Sequence, residues 1–496
     1  MHLTLKPSFS QKDLVLVLPV LIEKKHIMTG KFPKKLKILV DKLIRDKEFK
    51  GEVNEIHTLK LHDSHFPKTV ILAGLGEVDE LKRYKVRETF ALAWKQARSE
   101  KKKECTLVIP QELDEFGEVI GEAIGLSNYI LGKFKTGKDL EDGKKTEIEK
   151  VEVVSISKNA KTLEDGLKKG LLIAESVNAT RDMVNLPPNI LTPKAMANEA
   201  VKIAKENGYK IKVFERKDLE KMGMGGILAV NHGSVKEDQS TRMVMIEYMP
   251  MKDQKPIVFI GKGIIFDSGG YNMKPSRAME NMHEDMAGGA AVFGVFRLLK
   301  KLKIQQNVIG IVPITENLVS DTAYKPTDII TTYSGKTVEI TNTDAEGRMI
   351  LCDALAYAEK NLRPRVMIDL ATLTGACVVA LGDRYAGIMG TDDKTMRALE
   401  HAGKRTDELV WELPMHHDHK DRLKSKIADI QNACKDYGAD SQKGGMFLQE
   451  FVEKTPWVHV DIAGVAFVDA PKKYDFPQAT GYGVRLLMAY LEGMKA

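Results

Sequence analysis

Cysteine is scarce in this chain, and the cysteines that are present lie far apart. There are 4 among 496 residues, and no two of them have the C-x-x-C spacing of a zinc site or a redox pair. Their positions are Cys105, Cys352, Cys377 and Cys434. This pattern excludes the common cysteine-based zinc and redox motifs, and a reduced intracellular compartment is the simpler interpretation.

Long apolar segments are also missing. The longest early apolar run, Leu14–Ile22, has nine residues and contains Pro19, whereas a membrane-spanning helix needs about 20. The first residues, MHLTLKPSFSQKD, lack a basic segment followed by an apolar one, so no signal peptide is predicted. We predict a buried strand at Leu14–Ile22 and a cytoplasmic protein that does not bind a membrane.

The chain has no large excess of one charge. Its 75 basic residues face 69 acidic ones, which leaves a net charge of +6. This is a mildly basic surface and not the footprint of a nucleic-acid-binding protein. Two short basic segments, Lys31–Lys37 and Arg98–Lys103, could contact phosphates but are more typical of a solvated surface.

The order of predicted elements indicates an α/β fold with two domains. The length corresponds to about two to three domains of roughly 150 residues. Residues 1–160 alternate β-rich runs with helical segments, which predicts a smaller N-terminal α/β domain, and the polar segment Lys135–Lys150 predicts a surface loop. A connecting helix is predicted at 161–186. Residues 187–496 repeat a strand, loop, helix pattern, which predicts a larger domain with a mainly parallel sheet flanked by helices.

Two carboxylates and a guanidinium are crowded into the segment NTDAEGR. The preceding residues, GKTVEI, predict a strand, and the following ones, MILCDALAYAEK, predict an amphipathic helix. Side chains at alternate positions of an extended loop face the same side. We therefore expect Asp344, Glu346 and Arg348 to share one site.

More charged residues lie in two glycine-rich segments. GKGIIFDSGGYNMKPS contains Lys262, Asp267 and Lys274, and MHEDMAGGAAVFGVF contains Asp285 at a predicted helix start. The small residues at 287–291 predict that another element packs closely against them. Taken singly, Asp285 could be a helix cap, and the two lysines could be ordinary surface residues.

The placement of the acidic residues predicts that they meet. Asp267, Asp285, Asp344 and Glu346 all fall in strand-end loops or at helix starts, where ligands bind in parallel sheets. Four carboxylates in one site repel one another unless cations lie between them or some stay protonated. Oxygen ligands suit Mg²⁺, Mn²⁺ or Zn²⁺. Pairs of such ions serve phosphatases, nucleases and aminopeptidases alike, so the residues alone leave these classes open.

Three segments together, VFIGKGIIFDSGGYNMKPS, MHEDMAGGAAV and NTDAEGRMILCDAL, resemble the leucyl aminopeptidase family, also called cytosol aminopeptidases. NTDAEGR is the signature of that family. NLPPNILTP, DLATLTGA, LKSKIAD and ATGYGVRLL extend the resemblance over nearly all of residues 180–490. The resemblance implies a catalytic di-metal peptidase domain at 187–496 and a variable N-terminal domain, with a role in assembly, at 1–160. It also implies a homohexamer that acts on short peptides.

The resemblance implies a metal-binding role for five residues. One divalent ion would be held by Lys262, Asp267, Asp285 and Glu346. The other would be held by Asp267, Glu346, and the carboxylate and backbone carbonyl of Asp344. The implied ions are Mn²⁺ or Zn²⁺, with Mg²⁺ and Co²⁺ as further options.

Catalytic and substrate-binding roles are implied in the same way. Lys274 and Arg348 would be catalytic, with bicarbonate bound near Arg348. The residues that would bind substrate are Lys274, Met282, Asn342, Thr372, Leu373 and Gly375. The chain departs from the family where a glycine- and alanine-rich run usually lines the pocket for the first side chain of the substrate. Asp440, Ser441, Gln442 and Met446 stand there, so a preference for leucine is not predicted.

Two alternatives remain open. Some members of the family also bind DNA, so a dual-role aminopeptidase that binds DNA as a regulatory protein is the main alternative. A two-metal phosphoesterase would use similar carboxylates but usually adds histidine ligands. His283 lies within one of these segments, but we interpret it as structural because helix-start geometry points it away from the site.

Overall fold

The computed structural model divides the chain into two compact units. One consists of Met1–Asn178 with Ala470–Pro477, and the other of Ala179–Asp469 with Gln478–Ala496. The domain limits predicted above stay predictions. The described residues are 1–6, 14–23, 26–28, 34–61, 67–132, 134–155, 160–434, 438–470, 474 and 478–494. Residues 31–33 of the basic segment Lys31–Lys37 lie outside them.

The first unit is an α/β structure, as the alternation of elements predicted. Its sheet has the strand order β1-β7-β6-β2-β5-β4, with β3 beside β2. The neighbours from β1 to β5 are parallel, and β4 and β3 are antiparallel to their partners. The strands are β1 (His2–Lys6), β2 (Val15–Glu23), β3 (His26–Met28), β4 (Ile56–Lys60), β5 (Thr69–Glu77), β6 (Glu104–Ile109) and β7 (Lys150–Ser155). The helices are α1 (Lys34–Arg45), α2 (Arg83–Ser99), α3 (Gly117–Ser127), α4 (Gly137–Lys145) and α5 (Ala160–Val184), which continues into the second unit.

The buried strand predicted at Leu14–Ile22 is confirmed. It is β2, and its residues from Val15 to Leu21 are buried. Its pairing with β6 involves Leu16 and Val17 and ends before Pro19, which has no N–H group to donate.

The surface loop predicted at Lys135–Lys150 is wrong in part, because the segment contains α4. None of the α4 residues is buried. Lysine, glutamate and leucine favour helices intrinsically, so a helix without buried residues can have the polarity of a loop. The surface location was predicted correctly, and the conformation was not.

The second unit contains the mainly parallel sheet that was predicted. Its strand order is β17-β16-β19-β15-β10-β12-β9-β8, with β11 beside β12. The centre, from β19 to β12, is parallel, and β9 and β16 run antiparallel to β12 and β19. The strands of this sheet are β8 (Lys210–Glu215), β9 (Arg242–Tyr248), β10 (Ile257–Gly261), β11 (Gly263–Asp267), β12 (Val308–Asn317), β15 (Val366–Ala371), β16 (Tyr385–Gly390), β17 (Leu409–Glu412) and β19 (Trp457–Asp461). Two small sheets are formed by β13 (Ile329–Thr331), β14 (Thr337–Glu339) and β18 (Ile430–Gln431), and by β20 (Phe467–Val468) and β21 (Gln478–Ala479).

Two groups of helices cover this sheet. α10 packs with α6 and α16, α11 packs with α8 and α15, and both α10 and α11 contact β10 and β12. Val258 and Ile260 of β10 share a core with Met349 and Ile350 of α11, whereas Phe259 does not belong to that core, as expected from the alternation of side chains along a strand. The helices are α6 (Pro193–Asn207), α7 (Arg216–Met222), α8 (Gly225–Val230), α9 (Ser276–Met279), α10 (Ala287–Phe296), α11 (Glu346–Leu362), α12 (Gly375–Leu381), α13 (Asp393–Thr406), α14 (His417–Asp421), α15 (Asp440–Gln449) and α16 (Val484–Gly493). Among the described residues, none of the helices combines the length and the apolar character that a membrane crossing requires.

The small residues at the start of α10 allow its backbone to contact the sheet directly. A Cβ atom on Gly288 would lie 2.1 Å from the carbonyl oxygen of Leu370 in β15, and one on Gly289 would lie 2.7 Å from Val312 Cγ1 in β12. The close packing predicted for residues 287–291 is therefore present. It fixes the beginning of α10, just after Asp285, against the ends of the central strands.

We expect Gly288→Ala to destabilise the protein by about 1–3 kcal/mol, the usual cost of forcing an extra carbon into a packed interior. The clash is with backbone, so a side-chain rotation cannot relieve it. Gly143→Ala is the matched control, because Gly143 is also helical but its added Cβ would meet only Ile130 Cγ2 at 3.6 Å. Differential scanning calorimetry should show a lower melting temperature for Gly288→Ala alone. Equal melting temperatures in the two variants would contradict this account.

Candidate active site

The four acidic residues singled out in the sequence come together at one end of the central strands. Asp267 is the last residue of β11, Asp285 lies two residues before α10, and Glu346 is the first residue of α11. Asp344 lies between β14 and α11. Carboxylate oxygens of Asp267, Asp344 and Glu346 all lie within 4.8 Å of one another, and Asp285 is joined to Glu346 through a shared lysine.

That lysine is Lys262, which directly follows β10 and is buried. Its Nζ atom lies 2.7 Å from Asp285 Oδ1 and 2.8 Å from Glu346 Oε1. A Cβ atom on Gly347 would lie 2.7 Å from Lys262 Nζ. The glycine of NTDAEGR therefore leaves the space that the Lys262 side chain fills.

Lys274 connects the other two carboxylates. Its Nζ atom lies 2.8 Å from Asp267 Oδ2 and 2.7 Å from Asp344 Oδ1. The loop that brings it there turns at Gly269, where φ is +85°, a backbone conformation that glycine adopts readily. A side chain at that position would also lie 2.9 Å from Asp344 Oδ1.

The two lysines stay cationic in this environment. Burial by itself lowers the pKa of a lysine, but at Lys262 the carboxylates of Asp285, Glu346 and Asp267 outweigh burial and raise the pKa above its ordinary value. The pKa of Lys274 is raised in the same way, against the effect of burial. Each ammonium group is therefore held by charge attraction inside the carboxylate cluster.

Burial and neighbouring charges shift the pKa values of the carboxyl groups in different directions. Burial, reinforced by Glu346, raises the pKa of Asp267 to about 7, and burial raises the pKa of Asp285 as well. The pKa of Glu346 is lowered, because Lys262 and Lys274 outweigh the effect of burial. The two lysines therefore compensate only part of the negative charge of the four carboxylates. Perturbed pKa values of this kind are typical of functional sites.

These residues fit a divalent cation. Asp285 Oδ2 and Glu346 Oε2 are buried and have no hydrogen-bond partner among the described residues. Buried polar atoms without partners are costly, and carboxylate oxygens are the ligands that hard divalent ions prefer. A cation held between the carboxylates would satisfy both oxygens and offset the repulsion.

Arg348 lies beside the carboxylate cluster and is buried in the first turn of α11. Its Nη1 atom donates a hydrogen bond to the carbonyl of Asn432 at 2.7 Å, and its Nε atom has no hydrogen-bond partner in the described part of the chain. Burial lowers the pKa of this guanidinium. A buried donor without a partner is suited to a small anion.

The predicted reason for the shared location of Asp344, Glu346 and Arg348 is wrong. We expected an extended loop with alternating side chains, but the helix already begins at Glu346. Glu346 and Arg348 therefore project from the first turn of α11, and Asp344 from the turn before it. The three residues share a location because a strand-to-helix connection brings them there.

The predicted substrate residues lie around the cluster. The Thr372 carbonyl accepts a hydrogen bond from Lys262 Nζ at 2.9 Å, and its Oγ1 donates to Asp285 Oδ1 at 2.6 Å. Asn342 Oδ1 accepts from the backbone N–H of Asp344 at 2.8 Å. These contacts place Thr372 and Asn342 directly against proposed metal ligands.

The remaining predicted substrate residues flank this region. Met282 begins a short 3₁₀ helix, Met282–Glu284, which ends just before Asp285. Leu373 follows Thr372, and Gly375 begins α12 with open space where its Cβ would lie.

Sequence reasoning missed Asn317. This residue ends β12, and its Nδ2 atom donates to Asp267 Oδ1 at 2.8 Å and to the Thr343 carbonyl at 3.0 Å. It therefore fixes the orientation of one acidic ligand candidate. Its position at the end of a buried strand, next to β11 in the sheet, is the signal that could have identified it.

The segment in which the chain departs from the family is α15. Ser441 is buried, and its Oγ atom lies 2.7 Å from Thr374 Oγ1. A Cβ atom on Gly444 would lie 3.3 Å from Leu373 Cδ2. Asp440 is largely exposed and pairs with the buried Lys443 at 2.7 Å. The first turn of α15 thus contacts the segment that contains the predicted substrate residues.

Comparison with known proteins agrees with the geometry. The family model described as "Cytosol aminopeptidase family, catalytic domain" matches residues 178–488, and that of the N-terminal domain matches residues 17–138. A probable cytosol aminopeptidase of Geotalea uraniireducens is 38% identical over 461 residues, which cover 91% of each chain. One of Protochlamydia amoebophila is 39% identical over 465 residues, which cover 92% of this chain and 91% of the other.

Solved structures give the same result. The bottromycin maturation enzyme BotP is 27% identical, with a TM-score of 0.82 over 97% of this chain and 98% of that one. A second structure of BotP, in complex with Mn, has a TM-score of 0.83. The family models and the curated relatives show that this chain belongs to the cytosol aminopeptidase family and is a hydrolase that acts on peptides.

Proposed function

We propose that this protein is a metal-dependent aminopeptidase that releases N-terminal amino acids from short peptides with two divalent ions. The observation that carries the proposal is the convergence of buried carboxylates, two of which have oxygens without hydrogen-bond partners among the described residues. One ion would be held by Asp267, Asp285, Glu346 and Lys262, the last as its neutral amine, because a bound cation would lower the pKa of Lys262 and displace its proton. The other would be held by Asp267, Asp344 and Glu346. The structure of BotP with Mn supports Mn²⁺, and Zn²⁺ is the other expected ion, with Mg²⁺ and Co²⁺ as further options.

When bound, the two ions would activate a water molecule as the nucleophile, polarise the scissile carbonyl and hold the α-amine of the peptide. The chain supplies the rest of the site. Asp267 and Glu346 would contribute to holding both ions, and Lys262 lies between Asp285 and Glu346. Thr372 fixes Lys262 and Asp285 through its carbonyl and hydroxyl groups.

Lys274 has the properties of an oxyanion-stabilising residue. Its ammonium group stays charged, it is only partly buried, and it lies at the edge of the carboxylate cluster. A fixed positive charge next to a developing oxyanion stabilises the transition state more than the bound substrate. We therefore propose Lys274 as a catalytic residue that also binds substrate.

Arg348 would hold a small anion close to the reacting groups. Its unpartnered Nε atom and its place in the first turn of a helix both favour an anion. By resemblance that anion is bicarbonate, which would accept a proton during the reaction. The substrate would be bound by Met282, Asn342, Thr372, Leu373 and Gly375 together with Lys274.

Assembly and location are also part of the proposal. The resemblance supports a homohexamer whose enclosed sites would admit only short peptides. The names of the relatives support a cytoplasmic location. The described cysteines are free thiols, which agrees with a reducing compartment.

The DNA-binding alternative gains no support from the described residues. Arg98, in the second basic segment, donates hydrogen bonds to the carbonyls of Ser127 and Thr146, and Lys103 pairs with Glu149 at 2.9 Å. Two of the four cationic side chains in that segment therefore already have partners within the protein. This alternative stays a prediction.

Removal of metal should abolish aminopeptidase activity. We expect 1,10-phenanthroline followed by dialysis to eliminate release of free amino acids from aminoacyl-amides, and Mn²⁺ or Zn²⁺ to restore it. The 1,7 isomer, which cannot chelate, is the matched control. Glu346→Gln should not be restored, because it removes a ligand shared by both ions. Full activity of the stripped protein would rule out the metal-dependent mechanism.

Replacing Lys274 should impair catalysis more than binding. Lys274→Met should lower kcat about 10²–10³-fold, the usual loss when one oxyanion donor is removed, with a much smaller change in KM. Lys150→Met is the control, because Lys150 also contacts two carboxylates, Glu152 at 2.7 Å and Glu104 at 3.6 Å, away from the site. Steady-state kinetics at several substrate concentrations separates the two parameters. An unchanged kcat in Lys274→Met would disprove the role.

Arg348 should make the reaction sensitive to bicarbonate. In carefully degassed buffer we expect added bicarbonate to raise the rate of the unmodified enzyme, whereas Arg348→Ala should be slow and insensitive. Chloride at equal ionic strength controls for salt effects, which screen charges without binding. Equal stimulation of both proteins by bicarbonate would place the anion elsewhere.

A further inference from the structure

The segment after β15 is critical to the site but has no regular structure of its own. Thr372, Leu373 and Thr374 connect β15 to α12. Thr372 holds Lys262 and Asp285 through hydrogen bonds of 2.9 Å and 2.6 Å. Whatever fixes this connection therefore also fixes two proposed metal ligands.

Asp461 is the group that fixes it. This residue ends β19, and it lies directly opposite Ala371 in the register between β19 and β15. Its Oδ1 atom accepts a hydrogen bond from the backbone N–H of Leu373 at 3.2 Å, and its Oδ2 atom accepts from Thr374 Oγ1 at 2.7 Å. Asp461 is completely buried, so water does not compete for these bonds.

The hydrogen-bond directions extend this contact to α15. Because the Thr374 hydroxyl gives its proton to Asp461, the Ser441 hydroxyl, 2.7 Å away, must donate to Thr374 Oγ1. Thr374 Oγ1 also accepts from the backbone N–H of Cys377 at 3.3 Å and so caps α12. A single carboxylate thereby orders a strand end, a helix start and the first turn of α15.

None of the described hydrogen bonds of Asp461 is with a proposed metal ligand, and the connection that it holds leads to those ligands through Thr372. We propose that Asp461 is a positioning residue of the active site, which holds the connection 372–374 so that Thr372 can orient Lys262 and Asp285. This inference rests on the proposed two-metal function, because it concerns the order of that centre. Asp461, at the end of β19, would thus position the site without binding a metal ion itself.

The alternative is that Asp461 only stabilises the fold, and a matched carboxylate distinguishes the two. Asp353 of α11 is also completely buried. It accepts backbone hydrogen bonds from Ile227 at 3.0 Å and Tyr333 at 2.8 Å, and it lies about two helical turns from Glu346. Asp353→Asn should reproduce any general effect of neutralising a buried carboxylate.

The test compares Asp461→Asn with Asp353→Asn in the full-length, metal-stripped protein, with Mn²⁺ as the probe. Asparagine can still accept from Leu373 through Oδ1, but its amide nitrogen cannot accept from Thr374. Loss of a group that orients a metal ligand typically costs about 10–100-fold in affinity or activity. We expect this loss in the Kd for Mn²⁺, measured by titration calorimetry, and in kcat for Asp461→Asn, with KM changed less. Asp353→Asn should change neither.

A second pair of variants covers the case in which Asp461→Asn does not fold. Thr374→Val removes the hydroxyl at nearly constant volume, and Thr374→Ser keeps it. Thr374→Val should weaken Mn²⁺ binding and lower kcat to an extent similar to that expected for Asp461→Asn. Thr374→Ser should keep the Mn²⁺ affinity and kcat of the unmodified protein. If Asp461→Asn folds, combining it with Thr374→Val should cost less than the sum of the two single changes, because both remove the hydrogen bond between Thr374 Oγ1 and Asp461 Oδ2.

The outcomes separate the two proposals. If the unmodified protein neither binds Mn²⁺ nor releases amino acids, the proposed function fails. If it does both and Asp461→Asn retains its Mn²⁺ affinity and kcat within about twofold, the positioning role is overturned. The same conclusion follows if Asp353→Asn loses as much as Asp461→Asn, or if Thr374→Val equals Thr374→Ser.

Discussion

The candidate active site depends on keeping several carboxylates together in one largely buried place. Burying like charges together is unfavourable unless opposite charges or protons accompany them. Lys262 and Lys274 supply part of that compensation through four contacts shorter than 3 Å. The compensation is incomplete, since the pKa values of Asp267 and Asp285 are still raised. This excess of negative charge is what makes the site suitable for divalent ions.

The scaffold holds these charges by backbone contacts more than by side-chain packing. The glycines at the start of α10 bring that helix against β15 and β12, and Gly347 leaves space for Lys262. Asp267 and Glu346 project from a strand end and a helix start, which are rigid positions. Rigid elements hold binding groups more exactly than loops do. The irregular connection 372–374 donates hydrogen bonds to Asp461 from Leu373 and Thr374.

Membership in the cytosol aminopeptidase family accounts for the chemistry that the site can perform, but the chain also has its own features. The first turn of α15 carries Ser441, which contacts Thr374, and an ion pair between Asp440 and Lys443. By the resemblance described above, small residues are expected at these positions. Because Gly444 remains against Leu373, the substrate segment still has a small neighbour there, and the charged pair lies farther out. A preference for leucine is therefore not predicted.

The sequence by itself determined the fold class, the family, the buried strand β2 and the identity of the charged residues that meet. These follow from local patterns, namely alternation of elements, runs of apolar residues and short segments rich in glycine and charge. Tertiary structure alone decided which carboxylates share a lysine, that Glu346 and Arg348 start a helix, and that Asn317 and Asp461 support the site. Those facts depend on strand order and register, which pair residues such as Ala371 and Asp461 that are far apart in the chain. No local pattern encodes such a pairing, because its energy comes from contacts that exist only after the sheet has formed.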